Sequence, residues 1–219
     1  MLKTLYNCHT HFAETQNISI LNIGLQQVCN SVFSIGIHPW QAELIEDNFL
    51  VIEQNARKKN CLAIGEIGLD KLKGPELSLQ IEVFSRQIRI AEETQLPVII
   101  HCVKAWNEIQ EIKKKINPRQ TWIYHGFIKV GILQEVLKMG LMISIGGAIL
   151  TNKKLQTALL TIPDDKLLLE TDDADVTIFE IYQKVSEIKK ISLPTLEKII
   201  EENFIRTFTK WQIGLNGQN

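Results

Sequence analysis

The chain alternates between short apolar runs and amphipathic stretches over most of its length. Cys61 to Leu69 reads CLAIGEIGL, a continuous apolar run of the kind that forms a strand buried on both faces. Leu77 to Gln95 instead spaces its apolar residues along one face of a helix, which Pro97 ends. Short strands that alternate with helices in this way are typical of a parallel sheet.

The same alternation of apolar runs and amphipathic stretches continues along the chain and predicts both its strands and its helices. Strands are expected at residues 4–12, 18–23, 32–38, 61–69, 98–102, 121–127, 141–146 and 167–171. Helices are expected at residues 47–59, 77–95, 105–116, 131–139, 153–161, 179–190 and 193–208. This unbroken pattern predicts an α/β fold, a TIM-like (β/α)8 barrel that forms a single domain over residues 1–219.

The first third of the predicted barrel is shortened. Residues 13–17 and 24–31, which link the first three strands, are both brief. Parallel neighbours usually need a crossover of about a dozen residues or more, whereas antiparallel neighbours need only a turn. We therefore expect the second strand, Ile18 to Ile23, to run antiparallel between the first and the third.

Charge and cysteine content narrow the choice of partner and compartment. The net charge of the 219 residues is −1, so no general basic field favours long duplex nucleic acid. No apolar run approaches the roughly 18 residues of a membrane span, and no secretory signal is recognisable. The cysteines are scattered without a C-x-x-C pair, which favours reduced thiols and a cytoplasmic protein without a membrane partner.

The histidines share one position in this pattern. Each of them falls at the carboxyl end of a predicted strand: His9, His11, His38, His101 and His125. Two acidic residues close apolar strands in the same way, Glu66 in the fourth and Asp172 after the eighth. Active sites of barrels lie at the carboxyl ends of the strands, so these side chains are expected at one mouth.

Four imidazoles and two carboxylates at one mouth could together hold two divalent ions. The proposed ligands are His9, His11, Glu66, His101, His125 and Asp172. Such a pair of ions can polarise a phosphoryl or carbonyl oxygen and lower the pKa of a bound water. The imidazoles suit Zn, Ni or Mn, whereas phosphoester chemistry often uses Mg or Mn. The alternative is that some of these residues cap helices or line a wet core.

Other residues near the predicted mouth are candidates for substrate contact. Lys104 and Lys129 lie in loops after strands and could attract phosphate, although loop lysines are often only solvated. Trp40 and Trp106 could stack on a base, or they could cover the core under a loop. His38 could contact a phosphate or support a metal ligand, and we leave it outside the ligand set.

The order of the motifs resembles that of the TatD-related metal-dependent deoxyribonucleases, barrel members of the wider amidohydrolase group. The order is H-x-H, G-I-H-P, G-E-I-G-L-D, P-V-I-I-H, Y-H-G-F and L-L-L-E-T-D, followed by E-N-F-I-R-T-F. The resemblance implies hydrolysis of an ester bond, in the family typically a DNA phosphodiester, by a metal-bound hydroxide. Single-stranded DNA or short nucleotides are then the expected substrates.

The resemblance also implies a role for each ligand. By this likeness, His9 and His11 bind the first metal, and His101 and His125 bind the second. Glu66 bridges the two metals, and both Glu66 and Asp172 are expected to be catalytic. Asp172 contacts the first metal and positions or deprotonates the attacking water.

The sequence departs from the family at three places. Asn7 replaces the usual aspartate before H-x-H, and Val103-Lys104 replaces an arginine and an aspartate after His101. Asp173-Ala174-Asp175 follows Asp172 where the family has a small residue and a proline. Two alternatives therefore stay open: an amide or carboxylic ester hydrolase that uses the same metals, and a catalytically inactive metal-binding scaffold.

Overall fold

The computed structural model describes residues 4–14 and 16–211. Within these ranges the strands are Tyr6–Thr10 (β1), Ile18–Ile23 (β2), Phe33–Ile35 (β3), Cys61–Asp70 (β4), Val98–Val103 (β5), Trp122–Tyr124 (β6), Met142–Ile145 (β7) and Leu167–Leu169 (β8). Hydrogen-bonded neighbours in the sheet follow the order of the chain, from β1 to β8.

The longer helices of the same ranges lie between or after these strands. They are Glu46–Ala56 (α1), Leu77–Thr94 (α2), Trp106–Ile116 (α3), Leu133–Lys138 (α4), Lys153–Leu159 (α5), Ile178–Lys189 (α6) and Leu193–Thr207 (α7). None of them has the length together with the apolar character that crossing a membrane would require. The sequence therefore predicted each helix to within a few residues at either end.

Local chemistry explains where several helices begin and end. Thr177 and Glu180 form a capping box at the start of α6, in which each side chain accepts a hydrogen bond from the other's backbone. The side chain of Asn152 accepts a hydrogen bond from the Leu155 backbone at the start of α5. Gln95, which directly follows α2, adopts the left-handed conformation that ends the helix two residues before Pro97.

The chain divides into two compact units, which we describe separately. Among the described residues, the first unit comprises 4–14, 16–21 and 124–207, and the second comprises 22–123 and 208–211. The prediction of a single domain over residues 1–219 is not tested by this division and stays a prediction.

The first unit contains two parallel strand pairs, β1 with β2 and β7 with β8. β1 also continues alongside the residues that follow β8, through a parallel bridge between Thr10 and Asp172. The buried hydroxyl of Tyr182 on α6 donates to the Tyr6 carbonyl and accepts from the Tyr6 backbone amide, which fixes the start of β1. The ring of Phe204 on α7 packs against Tyr6 with centroids 4.8 Å apart.

The second unit is built around β4, all ten residues of which are buried. β4 pairs in parallel with β3 and with β5. Gly68 is required at the β4–β5 contact, because a Cβ at this position would lie 2.0 Å from the His101 carbonyl oxygen. On the helical side, the buried ring of Phe84 on α2 lies 5.7 Å from that of Trp122.

The predicted antiparallel direction of the second strand is wrong. β2 runs parallel to β1, with Tyr6 opposite Ile18 and Thr10 opposite Leu21. A helical crossover is unnecessary here because β1 is short: its five residues span only about 16 Å. The eight residue steps from Thr10 to Ile18 can reach about 26 Å when extended, which is enough to return to the start of β1.

Candidate active site

In the first unit, two histidines and an aspartate meet where β1 ends. His9 lies within β1 and His11 directly follows it, while Asp172 follows β8. The Asp172 backbone amide donates to the His9 carbonyl at 3.1 Å, and the His11 amide donates to the Asp172 carbonyl at 3.1 Å. Asp172 adopts a left-handed φ of 55° between these two bonds. Main-chain hydrogen bonds therefore hold all three residues in place.

The three side chains converge on one carboxylate oxygen. Nε2 of the fully buried His9 lies 3.3 Å from Asp172 Oδ1, and Nε2 of the partly exposed His11 lies 3.4 Å from the same oxygen. Burial opposes ionisation of Asp172, but hydrogen bonds from His11 and His9 outweigh it and hold the pKa of this carboxyl well below its usual range. Two imidazoles and an ionised carboxylate are a suitable donor set for a divalent ion.

Asn7 holds the residue that precedes Asp172. Its fully buried side-chain amide donates to Thr171 Oγ1 at 2.8 Å, and its oxygen accepts from the Thr171 backbone amide at 3.1 Å. Both ends of the amide are therefore used at the position where the related family has an aspartate. Asn7 fixes the end of β8 without contributing a charge.

His125 lies beside His9 rather than in isolation at the end of β6. The two rings are 4.6 Å apart, and His125 Nδ1 lies 3.4 Å from Oε1 of Glu170. Glu170 is fully buried and also accepts from the Gly126 backbone amide at 2.5 Å. Glu170 was not among the residues predicted from the sequence, although an acid at the end of an apolar strand was visible in L-L-L-E-T-D.

Cys8, which neighbours His9 in the sequence, faces other partners. Its sulfur lies 3.0 Å from Ser144 Oγ and 3.8 Å from Glu170 Oε2. Burial and the nearby Glu170 charge raise the pKa of the Cys8 thiol well above its usual value. A neutral thiol in this setting serves as a small packing residue.

A cavity of about 450 Å³ opens beside the residues that follow β8. Its lining includes Thr10 and Phe12 from the end of β1 and Thr171 from the end of β8. Its acidic residues are Glu14, Asp173, Asp175 and Glu180. A cavity of this size suits one small ligand rather than a rigid duplex.

In the second unit, a separate group forms along the adjacent strands β3, β4 and β5: His38 follows β3, whereas Glu66 lies within β4 and His101 within β5. His101 Nδ1 lies 2.5 Å from Glu66 Oε1, and His38 Nε2 lies 3.4 Å from the same oxygen. The two imidazole nitrogens, His38 Nε2 and His101 Nδ1, are 3.3 Å apart. These three residues offer ligand atoms close enough together to share one ion. His38 was not among the ligands predicted from the sequence, although its imidazole lies near the same Glu66 oxygen as that of His101.

Asp70, four residues after Glu66 on β4, supports His101 from behind. Its Oδ2 lies 3.4 Å from His101 Nε2 and accepts from Trp40 Nε1 at 2.6 Å, while its Oδ1 accepts from the Leu72 backbone amide at 2.7 Å. Burial opposes the charge of Asp70, but the hydrogen bonds from Trp40, Leu72 and His101 outweigh it and lower the pKa of its carboxyl. Like Glu170, Asp70 was not among the site residues predicted from the sequence.

Two buried glutamines of α2 hold the loops that carry these side chains. Gln87 accepts from the Ile37 backbone amide and donates to the Ile37 carbonyl, directly before His38. Gln80 accepts from the Asp70 amide and donates to the Asp70, Lys73 and Pro75 carbonyls. The seven-residue spacing places both amides on one face of the helix, so α2 fixes both loops.

The predicted substrate contacts fall into different environments. Trp40 is 46% exposed, whereas Trp106 is only 7% exposed at the start of α3, as a residue that covers the core would be. Lys104 is exposed and follows β5 in the left-handed conformation, and Lys129 is exposed before α4. Their contacts with substrate stay predictions.

The chain is similar to one protein family over most of its length. The model of the TatD related DNase family matches residues 3–209. The uncharacterized metal-dependent hydrolase YabD of Bacillus subtilis is 30% identical over 195 residues, which cover 80% of this chain and 76% of YabD. The 3'-5' ssDNA/RNA exonuclease TatD of Dickeya dadantii is 33% identical over 172 residues, which cover 74% of this chain and 64% of that protein.

A solved structure confirms the predicted fold class. The crystal structure of YjjV, a TatD homologue from Escherichia coli, superposes with a TM-score of 0.74 at 22% identity, covering 81% of this chain and 76% of that one. At this identity the match shows the fold alone, an α/β TIM-like barrel. The family match over residues 3–209 and the 30% identity to YabD show that the chain belongs to the TatD family of metal-dependent hydrolases.

Proposed function

We propose that the protein is a divalent-metal-dependent phosphodiesterase that acts on single-stranded DNA or on short nucleotides. The observation that supports this most directly is the pair of imidazole–carboxylate groups, His9–His11–Asp172 and His38–Glu66–His101. Relatives named ssDNA/RNA exonuclease and deoxyribonuclease support a nucleic-acid substrate.

Each of the two groups has the donor set to hold one divalent ion, which we propose gives a binuclear enzyme. Mixed imidazole and carboxylate ligands suit Zn, Mn or Ni, and Mg where carboxylates dominate. When bound, the ions would polarise a phosphoryl oxygen and make a water more acidic. That His125 binds the second metal remains a prediction. In the structure its imidazole contacts His9 and Glu170.

The protein's own groups would orient the reaction. The ionised Asp172 carboxylate, held by the backbone of His9 and His11, can accept a hydrogen bond from an attacking water and take its proton. Glu66 would keep His38 and His101 directed at the site by contacting both imidazoles. Such fixed geometry lowers the barrier because the reacting groups need no further ordering.

We also propose that the protein works in a reducing compartment such as the cytoplasm. All of its cysteines are free thiols in the structure. Cys8, Cys61 and Cys102 are buried, and burial raises the pKa of the Cys61 thiol to about 12. Unpaired thiols of this kind are usual where disulfides are not formed.

The test is a substrate panel applied to chelator-treated protein before and after addition of Zn, Mn, Mg or Ni. We expect metal-restored hydrolysis of a nitrophenyl phosphodiester and of single-stranded DNA, and no hydrolysis of simple carboxylic esters or amides. Asp172→Asn should lower turnover by about a thousandfold or more while the fold persists. Asp165→Asn, an exposed aspartate of the same unit, is the matched control and should behave like the wild type.

The other results of the panel are equally informative. Hydrolysis of esters or amides but of no phosphodiester would replace this proposal with the amide or carboxylic ester hydrolase. Metal binding without turnover of any substrate would replace it with the inactive scaffold. Full activity of Asp172→Asn would remove Asp172 from the reaction.

A further inference from the structure

The indole ring of Trp40 is half exposed although it lies against two of the proposed metal ligands. It follows His38-Pro39 in a short 3-10 turn, and 46% of its surface is open to solvent. Its ring centroid lies 4.6 Å from that of His38 and 5.9 Å from that of His101, with the rings nearly perpendicular. A large aromatic surface at this place is available to a ligand of the His38–Glu66–His101 group.

The ring is held rigidly. Its Nε1 donates to Asp70 Oδ2 at 2.6 Å, and Asp70 is itself buried and bonded to the Leu72 amide. The backbone of the 71–75 loop packs directly against the turn, since a Cβ on Gly74 would lie 2.7 Å from the Pro39 carbonyl oxygen and 2.9 Å from Trp40 Cα. A side chain ordered before binding loses little conformational entropy when a ligand stacks on it.

A lysine completes the surface. The Lys73 ammonium lies 4.2 Å from the centroid of the Trp40 ring. Lys71, two residues earlier, is instead engaged by Glu108 at 2.6 Å. An exposed aromatic ring with an ammonium over it offers groups for the two chemical parts of a nucleotide, the base and the phosphate.

We propose that Trp40 stacks on a nucleobase of the substrate while Lys73 contacts a neighbouring phosphate. The same indole, through its N–H, positions Asp70 and thereby His101. The inference rests on the proposed phosphodiesterase function and sharpens it: the preferred substrate is a base-bearing nucleotide chain, and the same chain without bases is hydrolysed about tenfold less efficiently. Trp40 thus has two separable roles, one through its ring and one through its N–H.

The experiment compares single-stranded trithymidylate with the same sugar–phosphate chain carrying no bases. Wild-type kcat/KM should be about tenfold higher for trithymidylate, which is the usual scale of one base stacked on an aromatic ring. Trp40→Leu should remove this preference. Trp40→Phe should retain most of the preference but lower kcat/KM about tenfold for both chains, because the N–H to Asp70 is lost.

Control variants separate Trp40 and Lys73 from similar residues. Lys73→Gln should weaken binding of both chains about equally and make the binding affinity less dependent on salt concentration. Lys71→Gln should change the affinity and its salt dependence less. Phe12→Leu removes another exposed aromatic residue. Loss of the base preference in Phe12→Leu, with its retention in Trp40→Leu, would overturn the assignment to Trp40.

A binding measurement keeps this inference distinct from the proposed function. Affinities of metal-free wild type and Trp40→Leu for both chains are measured by titration calorimetry. Equal wild-type affinity and equal turnover for the two chains would overturn the role of Trp40 while leaving a phosphodiesterase. Absence of turnover for both chains, with hydrolysis of a simple ester, would overturn the proposed function; a base preference in affinity lost in Trp40→Leu would still support stacking.

Discussion

The two ligand groups have the same chemical content but are held in different ways. Main-chain hydrogen bonds fix Asp172 between His9 and His11 in the first unit. In the second unit, side chains hold the group: Asp70 backs His101, and Trp40 holds Asp70. A backbone-held site depends little on any one neighbouring side chain, whereas a side-chain network fails when one member is removed.

The neighbouring residues reflect this difference. Around Asp172 the supporting contact is the Asn7 amide, which bonds Thr171 and leaves the carboxylate free for other partners. Around His101 the supporting group is the charged Asp70 carboxylate, which contacts the imidazole directly. We therefore expect substitutions near the first group to change stability and substitutions near the second to change metal affinity and rate.

The largest expected effect is loss of either carboxylate ligand. Glu66→Gln should lower metal-dependent turnover by about a thousandfold or more, as should Asp172→Asn, because an amide cannot replace the negative charge that each ion needs. The measurement is steady-state hydrolysis of a nitrophenyl phosphodiester together with metal content by atomic emission. If Glu66→Gln retained wild-type turnover and metal content, the second group would have no part in the reaction.

A smaller but specific effect is expected for Asp70→Asn. Removal of the charge behind His101 should weaken binding of one ion about 10- to 100-fold and lower turnover to a similar extent. Metal affinity is measured by competition with a chromogenic chelator. Asp47→Asn, an exposed aspartate at the start of α1, is the control, and equal effects of the two variants would contradict the supporting role of Asp70.

The smallest effect on chemistry is expected at Asn7. Asn7→Ala leaves the buried Thr171 amide without its side-chain acceptor, which should cost about 1–3 kcal/mol of unfolding free energy. Asn7→Asp should cost less, since a carboxylate can accept from both the amide and the hydroxyl of Thr171. Urea unfolding gives both values, and turnover per folded molecule should change only a few-fold. An Asn7→Asp protein less stable than Asn7→Ala would refute this account.

Much of this protein follows from local sequence pattern. The fold class and the helices could be predicted because apolar spacing and helix ends depend on residues a few positions apart. The strands could be located for the same reason, and His9, His11, Glu66, His101, His125 and Asp172 could be predicted as ligands from their places along these strands. The sequence alone therefore determined the fold class, the family and the type of chemistry.

The tertiary structure decided how these residues are supported and grouped. Asn7 bonds Thr171 across 164 positions, Gln87 holds Ile37 across 50, and Trp40 reaches Asp70 across 30. No local pattern records such pairs, because each depends on which loops packing brings together. The parallel direction of β2 and the place of His38 beside Glu66 were decided in the same way, by strand length and by the packing of α2.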